Sequence, residues 1–304
     1  MIQHPLVHLK LLGMAVLWGI SWPAGKVVAA VMPPLLASSL RFSLAVVVLL
    51  AWMRLSLGKW PSLSQRQWLI LALGGLVGVF GYGAFFMTGL KNVAASRASL
   101  VVTVNPVFTT LLAAWLFKEL FNRQVAYGMV IAVLGASIVI THGEPWKLLL
   151  GDIGRGELLL FGCVACWVAY SLLGKRSMQG IDSLTATTLT SCFGLIFLWV
   201  SSLCLEGIPS LQHTDATVFC ALIFLALGAT VLAYAWYFEG IAKLGAGAAA
   251  SYISLVPVFG VLSAAVWLKD ELDTSILLGG GLAVGGVMVM NWARNQSNQG
   301  LKKL

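Results

Sequence analysis

The sequence predicts an all-α integral membrane protein whose ten transmembrane helices form two inverted five-helix repeats. Composition is the first reason: 59% of the 304 residues are hydrophobic and 10% charged, against roughly half and a quarter in a soluble domain. A water-soluble chain of this length has no way to hide that much apolar surface. The second reason is a series of apolar runs close to the length of about 20 residues that a bilayer core requires. The third is a phrase written twice: Val104-Asn105-Pro106-Val107-Phe108 with Lys118-Glu119-Leu120 returns as Leu255-Val256-Pro257-Val258-Phe259 with Lys269-Asp270-Glu271-Leu272, 151 residues later.

Proline, glycine and charge punctuate the runs. The first copy reads as spans 8–30, 35–57, 67–89, 94–117 and 123–141, and the second as 157–175, 184–206, 215–238, 245–268 and 274–292. Turn signals such as Met32-Pro33-Pro34, Gly58-Lys59-Trp60-Pro61 and Gly207-Ile208-Pro209 fill the short gaps. The longest gap, His142 to Gly156, is too small for a domain. The repeats therefore occupy 1–145 and 146–304. The start of the chain, with Lys10 before an apolar run, has the look of a signal peptide. However, Trp18 and Lys26, eight apart, recur as Trp167 and Lys175, so this segment belongs to the mature fold.

An even number of spans puts both termini on one side. Cytoplasmic termini place twelve of the nineteen basic residues inside, as the positive-inside bias asks. Five spans cross the bilayer an odd number of times, so the second copy enters upside down. Inverted repeats related by an in-plane pseudo-two-fold axis are characteristic of secondary transporters.

Trp18-Gly19…Lys26 in span 1, Leu40-Arg41-Phe42 in span 2, and the Pro-Val-Phe…Lys-Glu-Leu ends of spans 4 and 9 resemble the drug/metabolite transporter superfamily, EamA type. The resemblance covers essentially the whole chain. It implies a ten-helix inner-membrane carrier, often an exporter of amino acids or other small metabolites. Arg41 departs from the internal symmetry, because the corresponding part of span 7 reads Thr188-Leu189-Thr190-Ser191.

Trp18, Trp22 and Lys26 follow at i, i+4 and i+8, within a stripe roughly 80° wide on a helix. Trp167, Ser171 and Lys175 form the matching stripe in span 6. A cation beside aromatic faces suits a ligand with a carboxylate or phosphate and an apolar body; the plainer reading is snorkelling lysines and an interfacial tryptophan belt. Pro23, Pro106 and Pro257 fall inside spans, where each removes a backbone hydrogen bond and can mark a helix break or gate. Asn105 offers a donor and an acceptor beside Pro106, whereas its counterpart Val256 offers neither. Tyr82 with Phe86, Tyr234 with Phe238, and Tyr252 add aromatic or polar groups, with helix packing and the lipid belt as the competing explanation. Glu239, at the inner end of span 8 with apolar neighbours in sequence, is the candidate for proton coupling. Lys118-Glu119 and Lys269-Asp270-Glu271 read as solvated helix ends. Gly281 and Gly285 offer a seam for a second copy of the chain.

The expected partners are a small-molecule substrate and the lipid bilayer. The net charge of +8 reads as loop lysines and arginines beside anionic lipid rather than as a nucleic-acid surface. The sequence contains neither GxxxxGK[ST] nor HExxH, and its five cysteines lie in apolar stretches without a metal-ligand pattern. No cofactor and no enzymatic activity are expected. The rival readings are an intramembrane enzyme, which calls for clustered His, Asp or Glu at span depth, and a passive channel, which calls for a polar pore ring.

Overall fold

The computed structural model of the chain describes residues 4–301 apart from 59, 118–120, 149, 151–152, 178–179, 208–213 and 245, so Lys118 and Glu119 lie outside the described residues. All regular structure among the described residues is helical. Nine helices there are long and apolar enough to cross a membrane: Pro5–Val31, Pro34–Leu57, Gln65–Asn92, Ala95–Phe117, Arg123–Ile140, Arg155–Gly174, Ser183–Leu205, Ala216–Leu244 and Ser275–Arg294. They are spans 1 to 8 and span 10. Span 9 is broken into Ala246–Ile253 and Val256–Trp267. The break follows from Pro257, which has no N–H to donate and sits in the first turn of the second segment. Span 4 is interrupted at the equivalent place, by a 3₁₀ turn at Val102–Val104 before the helix resumes at Asn105. Pro23 behaves differently: the helix Pro5–Val31 runs through it. A single missing N–H is tolerated where the helix on either side keeps its own bonds.

Large apolar side chains point outward, among them Trp115, Leu205 and Val266, while Ser38, Ser39, Ser99 and Thr188 are buried. This reverses the soluble pattern and fits lipid as the solvent. Some interior hydroxyls are satisfied locally, as in Ser99 to the Ser96 carbonyl at 2.7 Å and Thr190 to the Ala186 carbonyl at 2.7 Å, while Ser38 bonds across to the Gly83 carbonyl at 3.1 Å.

Two compact units form, and each takes helices from both sequence halves. Unit 1 comprises Met1–Pro23, Val93–Leu158 and Trp236–Leu304; unit 2 comprises Ala24–Asn92 and Leu159–Ala235. Within unit 1 the repeat-equivalent spans 5 and 10 run antiparallel backbone to backbone. A Cβ built on Gly135 falls 2.2 Å from the Ala283 amide nitrogen, and one on Gly128 falls 2.5 Å from that of Met290. Asp270 accepts the Ser96 amide at 3.0 Å and its hydroxyl at 2.9 Å, tying the end of span 9 to the start of span 4. Unit 2 uses the same device. Glu206, after span 7, accepts the Leu35 and Leu36 amides of span 2 at 2.9 and 2.7 Å. Further along this antiparallel pair the Trp199 indole donates to Ser43 at 3.0 Å.

The repeat is also legible in close contacts. In unit 1 a Cβ on Gly13 of span 1 meets the Trp236 ring at 2.6 Å; in unit 2 a Cβ on Gly162 of span 6 meets the Phe85 ring at 2.6 Å. Spans 3 and 8 share a rarer feature, a π-helical segment at Gly75–Gly81 and at Phe224–Leu232. Tyr82 donates its amide to Val77 and Ala233 to Gly228, reaching five residues back where an α-helix reaches four. The two bonds are displaced from one another by the same 151 residues as the repeated phrase. A third π segment, Ser275–Gly279, opens span 10 and has no counterpart in span 5.

Candidate functional site

The two π segments lie beside the candidate side chains of unit 2. In unit 2, the residue that ends the span 3 segment is Tyr82. Its ring stacks on Phe86 with centroids 5.9 Å apart and planes 17° apart. On its other side it meets Trp167 at 5.9 Å, and Trp167 meets Tyr170 at 6.3 Å. The approach is possible because Gly78 presents no side chain toward Tyr170: a Cβ there would fall 2.4 Å from the ring. Tyr82 and Trp167, 85 residues apart in sequence, thus share one aromatic ladder. Ser171 stands one turn beyond Trp167 and donates its hydroxyl to the Trp167 carbonyl at 2.7 Å. The side chain of Lys175 lies outside the described residues.

At the Phe86 end of this ladder is a residue that sequence reasoning noticed only as a departure from symmetry. Arg41 lies about 10 Å along span 2 from the helix start at Pro34, taking 1.5 Å per residue. Its guanidinium carbon is 5.3 Å from the centroid of Phe42 and 5.8 Å from that of Phe86, both cation–π distances. Nε and Nη2 both donate to the Thr230 hydroxyl, at 3.1 and 3.0 Å. Thr230 lies in the span 8 π segment and donates its own proton to the Leu225 carbonyl, five residues back, at 2.8 Å. Its oxygen is therefore left to face Arg41 purely as an acceptor. Tyr234 lies within electrostatic range of the same guanidinium. A charge inside an apolar span was the signal that marks Arg41. Thr230 carried no signal at all.

Unit 1 holds the other predicted residues apart from Lys26. Trp18 packs on Tyr237 with centroids 5.5 Å apart. Trp22 is buried, its ring edge 3.2 Å from where a Cβ on Gly260 would stand. The Tyr252 hydroxyl bonds to His8 Nδ1 at 2.6 Å. Asn105 is half-buried, and its Oδ1 is a buried acceptor without a partner among the described residues. Glu239 has apolar neighbours along the chain but not across it, because Lys10 of span 1 pairs with it at 2.7 Å. Lys26, within unit 2, donates to the Lys91 carbonyl at 3.4 Å. Among the described residues no three His, Cys, Asp or Glu side chains gather as metal ligands.

A family match follows the same two halves. The sequence profile of the EamA-like transporter family fits residues 6–141 and again 154–292. A "Probable amino-acid metabolite efflux pump" of Salmonella typhimurium is 31% identical over 287 residues, covering 90% of this chain and 91% of its own. A protein of the same printed name from Escherichia coli is 28% identical over 286 residues, and covers 90% and 91%. "Uncharacterized transporter YyaM" of Bacillus subtilis is 29% identical over 256 residues, 84% of either chain. A solved structure titled "Crystal structure of protein" superposes with a TM-score of 0.64 at 21% identity, over 96% of this chain and 99% of that one, a likeness of fold. Matched twice and over nearly its whole length, the chain belongs to the EamA-like transporter family.

Proposed function

We propose that this transporter is a secondary carrier exporting small amphipathic metabolites, amino acids among them, across the inner membrane with both termini cytoplasmic. The observation that carries the reading is the doubled π segment of spans 3 and 8, at the same offset as the repeated phrase; an odd count of five spans per copy makes the two copies inverted in this reading. Two inverted copies with the same local irregularity have two near-equivalent arrangements, one opening to each face, which is the requirement of alternating access. The printed names of the Salmonella and Escherichia relatives support amino-acid metabolites as the substrate class. Energy comes from the substrate gradient or from protons, the latter through Glu239 and its Lys10 partner.

Counterflow of labelled amino acids in proteoliposomes tests the proposal: uptake that saturates and exchanges supports a carrier, and non-saturating leak overturns it. Lys26→Ala is expected to lower that flux about tenfold, the scale of a lost hydrogen bond to a charged group, with unchanged yield and melting temperature. Unchanged flux removes Lys26 from the transport path. Where a pH gradient accelerates transport, Glu239→Gln is expected to abolish the acceleration while exchange at equal pH persists. An acceleration that survives the substitution places proton coupling elsewhere.

A further inference from the structure

We infer that Arg41 is the receptor for a carboxylate group on a substrate whose apolar or aromatic body lies along the Tyr82 and Trp167 rings; this deepens the carrier reading and rests on it for the word substrate. Arg41 and Arg97, both within spans, are treated differently. Arg97 in span 4 is buried and fully provided for: it pairs with Asp273 at 2.8 Å and donates to the Val139 carbonyl and toward the Ser275 hydroxyl. Arg41 takes part in none of the ion pairs among the described residues. Its fixed partners are one hydroxyl and two ring faces, all electrically neutral.

The hydrogen-bond geometry says which part of Arg41 is available. Of the five N–H donors on a guanidinium, Thr230 takes one from Nε and one from Nη2. Both belong to the same side of the fork. The end formed by Nη1 and the outer hydrogen of Nη2 has no partner among the described residues, and that end presents the two parallel donors that match a carboxylate. Thr230 is locked by its bond to Leu225, so the fork is held in one orientation before any ligand arrives. Arg41 is only half-buried, so its side chain is not sealed into the packing as that of Arg97 is. A cation kept without a counter-ion inside a membrane protein is costly, and such groups serve binding or translocation. Beyond the buried Phe86, the tilted rings of Tyr82 and Trp167 supply apolar faces leading away from the charge. The pairing is one-sided, since 151 residues before Thr230 the first copy has Val79.

The test uses the purified full chain with phenylacetate and its uncharged isostere phenylacetamide as probes. Phenylacetate is expected to raise the melting temperature of the parent, and phenylacetamide to leave it unchanged. Arg41→Gln is expected to abolish the phenylacetate response. Arg41→Lys, which keeps the charge and loses the fork, is expected to bind phenylacetate about tenfold to a hundredfold more weakly. Arg41→Met guards against a simple folding defect: without ligand it is expected to melt at or above the parent's temperature, because an unpaired charge has been removed. The inference is overturned if the parent does not respond to phenylacetate, if phenylacetamide acts equally, or if Arg41→Gln still responds. Amino-acid counterflow separates this from the carrier reading. Saturable flux indifferent to Arg41→Gln removes the receptor and leaves the carrier. Arg41-dependent binding without saturable flux removes the carrier and leaves the receptor.

Discussion

Asp273→Ala is expected to destabilise the folded protein by about 4 kcal/mol, of which about 3 comes from stranding Arg97 and about 1 from a lost helix cap. Arg97 is 5% exposed and cannot take its charge to water. Its partner Asp273 sits just before span 10, where one carboxylate oxygen accepts from Arg97 Nη2 at 2.8 Å. The other accepts the Ile276 amide at 2.8 Å and the Ser275 hydroxyl at 2.6 Å. The Asp273 side chain is itself 46% exposed, which places the pair at the lower end of the range for buried ion pairs. Asp273→Asn keeps the cap geometry and loses the charge, so its cost is expected to fall between the parent and the alanine variant. Denaturation of the three purified proteins in the same detergent decides the matter. If both variants lie within about 0.5 kcal/mol of the parent, the scale of an ordinary surface change, the pair does not hold spans 4, 5 and 10 together.

The same carboxylate gives the stability a pH dependence of known sign. Partial desolvation pushes the Asp273 carboxyl up, but hydrogen bonds from the Ser275 hydroxyl and the Ile276 amide, with the Arg97 charge, outweigh it and hold it below the ordinary value. A carboxyl lowered on folding contributes stability that is fully present above its unfolded value, about 3.9. That contribution is lost as pH falls through the folded value. The parent's melting temperature is therefore expected to fall below about pH 4 more steeply than that of Asp273→Asn. Between pH 5 and 7 the difference between the two proteins stays constant.

What could be read from the sequence is what depends on local pattern. Apolar runs gave span 5 as 123–141, and the helix is Arg123–Ile140. The repeated prolines marked the interruptions of spans 4 and 9, because a missing N–H acts wherever it occurs. Pro23 marked none, since the same loss mid-helix can be absorbed. The π segments were invisible: the residues of Gly75–Gly81 and Phe224–Leu232 read as ordinary apolar helix. Polar pairing was equally out of reach. Lys10 and Glu239 are 229 residues apart, His8 and Tyr252 are 244, and Arg41 and Thr230 are 189. No periodicity encodes such partners; they meet because the packing of spans brings distant positions to one level. This is also why Glu239 looked isolated in an apolar neighbourhood and why Arg41 was seen only as an asymmetry. The sequential halves repeat, yet packing distributes them over two interleaved units, a property of the folded chain that composition does not carry.

Gly135→Leu is expected to prevent spans 5 and 10 from docking and to eliminate monodisperse protein from a purification in which the parent is recovered. The reason is that the clash is with backbone. A Cβ at Gly135 falls 2.2 Å from the Ala283 amide nitrogen and 2.5 Å from the Gly279 carbonyl. On the facing helix, one at Gly286 falls 2.3 Å from the Ala132 nitrogen. A side chain can turn away from an intruding methyl, but a hydrogen-bonded helix backbone must translate as a whole, so the cost exceeds the usual 1–3 kcal/mol, roughly, of core overpacking. Between helices in lipid there is little hydrophobic drive to hold the pair at a greater distance, because the tails are as apolar as the side chains; close packing is the attraction. Gly281, on the facing helix, supplies the control. Nothing lies within 4 Å of a Cβ there, so Gly281→Ala is expected to keep yield and raise stability by a few tenths to about 1 kcal/mol through helix propensity alone. Normal yield and melting temperature for Gly135→Leu would mean that spans 5 and 10 are not held by backbone approach. Equal losses at both glycines would point instead to a partner seated on the Gly281 face.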